Sequence, residues 1–220
     1  MTDALTANAF SKRLQALRKA GDWKTVRMGD IFKLGKEFQQ MPVNEIERLM
    51  ESDIHKMRVG SLSIMGQCAK GKKLSPERLK DLYDLYIRRH DLINDWGLVD
   101  LAAYYVVGQY LADKPRKILY KLARSNDPWE RRTSIVATAH FILKLKQTQD
   151  TYAIAGLLIG DEHKFVNTGA GWMLRAAGDV DRPGLLRFLD ENAPKMSRIA
   201  LRAATEKLDK ALRSEYLTRR

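Results

Sequence analysis

The sequence predicts an all-α protein, a curved solenoid of helical hairpins stacked into an α-α superhelix. Three observations carry this. Apolar residues recur at spacings of three and four along most of the chain, and strand-like alternation is scarce. The breaks between apolar segments are short and hold helix-start residues. A unit made of a polar cap, an aromatic or histidine, and a long apolar stretch returns at His55, Trp96, Trp129 and His163, in steps of 41, 33 and 34 residues. Steps of that size belong to two-helix units, which bury their apolar faces only by stacking on one another.

Taken in order, the segment from Met1 to Gly21 places Lys12, Arg13, Arg18 and Lys19 on a helical period and lacks the apolar run of a secretory signal. Ile46, Leu49 and Met50 mark the next apolar stripe, and Leu79, Leu82, Tyr83 and Tyr86 another. The latter follows Ser75-Pro76-Glu77, a cap residue before a first-turn proline and an acid. Leu98 to Ala112 is the most apolar stretch, but it contains Asp100 and Gln109 and is too short for a bilayer, so it reads as a buried helix. Asp113 before Lys114-Pro115, Asp127 before Pro128, and Asp181-Arg182-Pro183 repeat the start signal. Ile135, Val136, Ala139 and Leu143 form the stripe after Asp127. About a dozen helices of roughly 8 to 18 residues result, with no internal linker, so residues 1–220 read as one domain.

Composition bounds the function. The chain of 220 residues has 39 Lys+Arg against 27 Asp+Glu, a formal charge of +12. With 45% apolar and 30% charged residues it folds rather than remaining disordered. The lone Cys68 excludes an intramolecular disulfide framework. That thiol and four scattered histidines leave little for a zinc site, and no metal or cofactor is expected. Residues 1–110 carry 18 basic and 14 acidic side chains (net +4), and residues 111–220 carry 21 and 13 (net +8). Such an excess suits a polyanion, nucleic acid or an anionic membrane surface, although solubility alone also accounts for it. A cationic concave face would fit a cylindrical polyanion. The compartment expected is the cytoplasm.

Some apparent motifs carry no chemistry. Gly66 to Lys73 is one residue short of a phosphate-binding loop: Lys73 stands where a hydroxyl must hold magnesium, and no strand precedes it. It reads as a solvated helix end with lysines near the C-terminus. His55, His90, His140 and His163 read as structural or surface residues, Cys68 as a small buried hydrophobe. The final Arg219-Arg220 is only a charged tail.

One constellation stands apart. Trp96, Trp129 and Trp172 lie at or near helix-pair starts, and Trp96 and Asp100, four residues apart, share a helical face. A carboxylate in that otherwise apolar run is costly unless paired or beside a cleft. Arg132 follows Trp129 by about one turn, and Trp172 opens Trp172-Met173-Leu174. Singly, each has a bland account: tryptophans pack between layers, and Asp100 caps a helix or pairs with an arginine. Together, on three successive repeats, they suggest one shared site.

Asn94-Asp95-Trp96-Gly97-Leu98-Val99-Asp100, Ser125-Asn126-Asp127-Pro128-Trp129-Glu130-Arg131-Arg132-Thr133-Ser134-Ile135 and Gly169-Ala170-Gly171-Trp172-Met173-Leu174-Arg175 resemble the signature segments of the DNA alkylation repair family, the AlkD-type DNA glycosylases built from HEAT-like repeats. The resemblance runs from about Val26 through Leu217. It departs at Gly97, where a bulkier residue is usual, and in residues 1–25, the less well matched N-terminal helix. It implies a monomer acting on double-stranded DNA that contains alkylated purines, with no membrane involvement and association with the nucleoid. It assigns Trp96, Trp172 and Asp100 to the sugar of the damaged nucleotide as the catalytic set, and Arg132 to a backbone phosphate. Arg131, Arg175 and Arg198 are candidates for further DNA contacts.

The implied reaction is monofunctional hydrolysis of the N-glycosidic bond of cationic N3- or N7-alkylated purines, without rotation of the base into a pocket. These residue types suit it. The cationic base leaves unassisted, two indole faces and a carboxylate stabilise an oxocarbenium-like sugar, and the carboxylate positions water. Two other classes stay open from the residues alone: a non-catalytic module that binds bent or branched DNA by shape, and a protein-interaction adaptor with an acidic partner.

Overall fold

The computed structural model describes residues 5–71 and 74–219. Lys72 and Lys73 of the apparent phosphate loop, and Arg220 of the C-terminal pair, lie outside the described residues. Within them the protein is all-α, with thirteen α-helices and no strand. They are α1 (Ala7–Ala16), α2 (Met28–Glu37), α3 (Val43–Met50), α4 (His55–Ala69), α5 (Pro76–Arg88), α6 (Trp96–Ala102), α7 (Lys117–Leu122), α8 (Pro128–Val136), α9 (Gln149–Leu157), α10 (Lys164–Gly178), α11 (Arg182–Asn192), α12 (Arg198–Ala204) and α13 (Lys210–Thr218). Two π-helical turns, Ala103–Gly108 and Phe141–Leu145, interrupt the pattern. The chain divides into two compact units, Met1–Tyr110 and Leu111–Arg220. Among the described residues no helix is long and apolar enough to cross a membrane.

In the first unit α1, α3 and α5 pack in sequence as one layer, and α2, α4 and α6 as the other. The second layer closes tightly because α4 has a glycine at the contact: a Cβ on Gly66 would stand 2.4 Å from the carbonyl oxygen of Leu101. Gly66 is thus a helix-packing residue and not a loop glycine. Ile46, Leu49, Met50, Leu82, Leu98 and Ala102 are buried in this unit, and Tyr86 is fully enclosed. In the second unit α8 packs on α10 and α10 on α12, with α9 against α11.

One hydrogen-bond device recurs at three helix entries. The side-chain oxygens of Ser52, Ser125 and Asp161 each accept from the backbone N–H two residues on, at 3.2, 3.0 and 2.8 Å. The carbonyls of the same three residues accept from Arg58, Arg131 and Asn167, each six residues on, at 2.8, 2.8 and 2.7 Å. The turn before the helix and the first turn inside it are tied together identically in α4, α8 and α10, which leaves few orphan backbone groups at these entries.

The start signals at Ser75, Asp127 and Asp181 are helix caps, accepting from Arg78, Trp129 and Gly184 N–H at 3.1, 2.9 and 2.9 Å, with a proline in each first turn. Asp113 is different. It caps no helix and instead meets Lys114 Nζ at 2.6 Å, and α7 begins only at Lys117. Asp181-Arg182-Pro183 has the same spacing and does open a helix, so the proline alone does not set the start; the Asp113 carboxylate turns to Lys114 instead. The stripe after Asp127 also breaks. Ile135, Val136 and Ala139 are buried, but Leu143 is half exposed, because the π-helical turn after α8 resets the helical period.

Candidate nucleic-acid interface

Trp96 is the first residue of α6 and is 50% exposed, high for a side chain of its size. The helix starts there because Asp95 caps it, Oδ1 accepting from Leu98 N–H at 3.0 Å. The other Asp95 oxygen pairs with His55 Nε2, which ties the start of α6 to the start of α4. A Cβ on Gly97 would lie 3.1 Å from Asp95 Oδ1, so a larger residue after Trp96 would crowd this cap. Gly97 therefore fits the cap geometry.

Asp100 projects one turn beyond Trp96 and is half-buried. It lines a cleft of about 210 Å³ in the first unit, together with Phe32 of α2, Ser63, Gln67 and Lys70 at or near α4, and Tyr105 of the π-helical turn. Lys70 Nζ sits 3.9 Å over the Tyr105 ring, so an ammonium is held beside the cleft by cation–π attraction. Ser63 Oγ is buried without a hydrogen-bond partner. The π-helical turn follows α6 directly, a distortion often found at functional sites. The apolar run from Leu98 is thus a buried helix in part only: Leu98, Val99 and Ala102 face the core, while Asp100 and Tyr105 face the cleft.

In the second unit Trp172 is 40% exposed. It lies in the middle of α10 and not at a helix-pair start, because His163 and Lys164 already open that helix. Its neighbours explain its position. A Cβ on Gly169 would approach Arg132 Nη1 of α8 at 3.0 Å, and one on Gly171 would meet Ala203 Cβ of α12 at 2.7 Å. The Gly169-Ala170-Gly171-Trp172 segment thus lets α10 press against a helix on either side, with the indole left at the surface.

Arg132 is only 4% exposed. Its Nη1 donates to the Phe165 carbonyl and to Thr168 Oγ1 at 3.3 Å, binding α8 to the first turns of α10. Thr168 and Trp172 are four residues apart on one face of α10, so Arg132 and Trp172 are anchored on the same stretch of helix. Trp129 packs edge-on against His163, with ring centroids 5.1 Å apart. Arg131 donates to Asp161 through Nε at 2.5 Å and Nη2 at 3.2 Å, and also bonds the Ser125 and Asn126 carbonyls. Arg175 pairs with Glu206, and Arg198 donates to the Leu217 carbonyl.

The sequence reading did not find the wall around Asp100. Gln67 of α4 and Lys70, just past its end, are three residues apart on one side of the chain, but that spacing is shared by any solvated helix end. The aromatic groups that make it a cleft, Phe32 and Tyr105, come from other helices.

The protein is thus all-α, with a capped Trp-x-x-x-Asp turn beside a cleft in the first unit and a surface tryptophan on a tightly packed helix in the second. A model of the DNA alkylation repair enzyme family matches residues 3–208, and the chain belongs to that family. It is accordingly an enzyme of DNA repair, with DNA as its partner. No curated protein matches the chain.

Proposed function

We propose that this protein is an AlkD-type, monofunctional DNA glycosylase that hydrolyses the N-glycosidic bond of N3- and N7-alkylated purines in duplex DNA and leaves an abasic site. It acts as a monomer in the cytoplasm, on nucleoid DNA. The observation that carries the reading is the pairing of Trp96 and Asp100 one turn apart on α6, with Asp100 on the wall of an open cleft. That cleft, at about 210 Å³, is smaller than the ~300–1,000 Å³ typical of pockets that enclose a ligand. It suits an attacking water and the edge of a sugar better than a rotated base.

A cationic alkylpurine needs no general acid, since loss of the base discharges its own positive ring. The barrier lies in the electron-poor sugar. Asp100 supplies opposite charge and orients or deprotonates the water, while the faces of Trp96 and Trp172 attract the developing cation. Arg132, buried against α10, is assigned to a backbone phosphate, which its guanidinium reaches by giving up its bond to the Phe165 carbonyl, and it sets register without reading sequence.

The experiment is release of N7-methylguanine and N3-methyladenine from methylated duplex DNA by the wild type and by Asp100→Asn. Release should fall at least 100-fold in the variant, the low end of general-base contributions, with duplex affinity changed less than about threefold. Equal release by both proteins would overturn the assignment. Binding without release by either would favour shape recognition of DNA.

A further inference from the structure

The N-terminal segment, which the family model covers from residue 3, holds the fourth tryptophan. Trp23 lies in a short 3-10 turn, Trp23–Thr25, whose start is capped by Asp22 through the Lys24 N–H at 2.8 Å. The turn before it is built to hold this shape, with Ala20 and Gly21 both at positive φ (51° and 76°). Arg18 lies over the indole, its guanidinium carbon 4.6 Å from the ring centroid, so the ring is held rather than loose. Trp23, Lys24, Ile54, His55 and Lys56 line a cleft of about 500 Å³. Its floor is aromatic and aliphatic, and the charged side chains of its wall are cationic. Of the nearby carboxylates, Asp22 is engaged in its cap and Asp95 with His55 and the Leu98 N–H, while Asp53, before Ile54, is exposed to solvent. Lys56 Nζ also donates to the Val26 carbonyl at 3.2 Å, which fixes the ammonium at the cleft. His55 connects this cleft to the catalytic helix, because its partner Asp95 directly precedes Trp96.

A stacking plate with cations beside it is the equipment for one nucleotide of a single strand: the base lies on the indole and the phosphate meets the lysines. We propose that the Trp23 cleft binds an unpaired nucleotide of the DNA chain, base against Trp23 and phosphate at Lys24 and Lys56. The inference rests on DNA as the partner, and not on the glycosylase chemistry. Where a damaged site loosens its pairing, the cleft receives a base from the opened strand and holds the DNA at α6.

The test is fluorescence anisotropy of a labelled ten-residue oligothymidylate with the full chain, as wild type, Trp23→Ala, Trp23→Phe and the double variant Lys24→Gln/Lys56→Gln. Trp23→Ala should weaken binding about 10-fold, the effect of losing one base–aromatic stack, and Trp23→Phe should recover most of it. The lysine pair should lower the slope of log affinity against log salt by about 0.7, the value for the one single-strand phosphate they hold. Wild-type affinity for the oligothymidylate in Trp23→Ala would overturn the proposal. So would equal losses in Trp23→Ala and Trp23→Phe, which mark a structural role and not stacking. Failure of wild-type base release, measured separately on methylated duplex, would remove the glycosylase reading and leave this one standing.

Discussion

Gly171 of α10 lies so close to Ala200 of α12 that a Cβ on it would stand 2.7 Å from the Ala200 carbonyl oxygen. The obstructing atom is backbone and cannot swing aside, so the two helices must separate if anything larger than hydrogen is placed there. Trp172 is the next residue, and its position at the surface depends on that close approach. Gly171→Ala should therefore destabilise the protein by about 1–3 kcal/mol, the usual range for overpacking. That loss outweighs the gain of up to about 1 kcal/mol that alanine brings to a helix interior. Urea denaturation measures it; an unchanged midpoint would mean that α10 and α12 tolerate separation.

Two adjacent arginines should give separable outcomes. Arg131 is spent on Asp161, whose side chain is 5% exposed, and on two turn carbonyls. Arg131→Ala leaves that carboxylate buried without its partner, and the loss should be about 3 kcal/mol with little change in the salt dependence of DNA binding. Arg132→Ala also removes a bond to the Phe165 carbonyl, for about 2 kcal/mol. It should in addition lower the salt slope by about 0.9, one duplex phosphate. Denaturation curves and affinities at several salt concentrations separate the two, and an unchanged slope in Arg132→Ala would take the phosphate role from it.

The difference between these neighbours shows how far the sequence could be read. Helix class, the caps at Ser75, Asp127 and Asp181, and the helix starts at or beside His55, Trp96, Trp129 and His163 are local properties, and local chemistry wrote them. The family segments were legible for the same reason: contiguous residues carry them. What was not legible depends on distance between helices. Whether Arg131 or Arg132 points inward is decided by Asp161 and Phe165, about thirty residues on. The cleft around Asp100 needs Phe32, Lys70 and Tyr105 brought together from three places in the chain. Asp113 caps no helix because its carboxylate meets Lys114 instead, and Leu143 is not a core residue because a π-helical turn shifts the period.

Stability should also depend on pH through His140. Burial pushes its imidazole below the ordinary value, with the charges of Lys144 and Arg116 acting in the same direction. The unfolded chain thus binds the proton more readily than the folded one. Its contribution is fully present above the unfolded value of about 6.5 and declines as pH falls toward the folded value. The carboxylates of Glu45, Glu47, Asp190 and Asp209 are held low by hydrogen bonds to Ala7 N–H, Arg89, Arg219 and Leu212 N–H respectively, so their loss comes only in stronger acid. His140→Gln should flatten the pH dependence of the urea midpoint just below the unfolded value of about 6.5 and leave the acid limb in place. A wild-type slope in the variant would assign that window to another group.

Trp172 offers the sharpest separation of chemistry from scaffold. The side chain is 40% exposed, so Trp172→Ala loses the burial of more than half an indole and should cost about 1–3 kcal/mol, leaving the chain folded. If its indole face attracts a cationic sugar, the interaction exists mainly in the transition state, and its removal lowers the rate of base release more than the affinity for DNA. Cation–π attraction of about 1–2 kcal/mol in a partly desolvated site corresponds to a loss of roughly 5- to 30-fold. Phenylalanine keeps an aromatic face with a weaker quadrupole, so Trp172→Phe should fall between wild type and alanine. Single-turnover release of N7-methylguanine, with duplex affinity measured on the same variants, reads both quantities. A ranking of tryptophan, phenylalanine, alanine in rate at nearly constant affinity supports charge stabilisation by the ring. A loss confined to affinity would make Trp172 a residue that holds DNA and takes no part in breaking the bond.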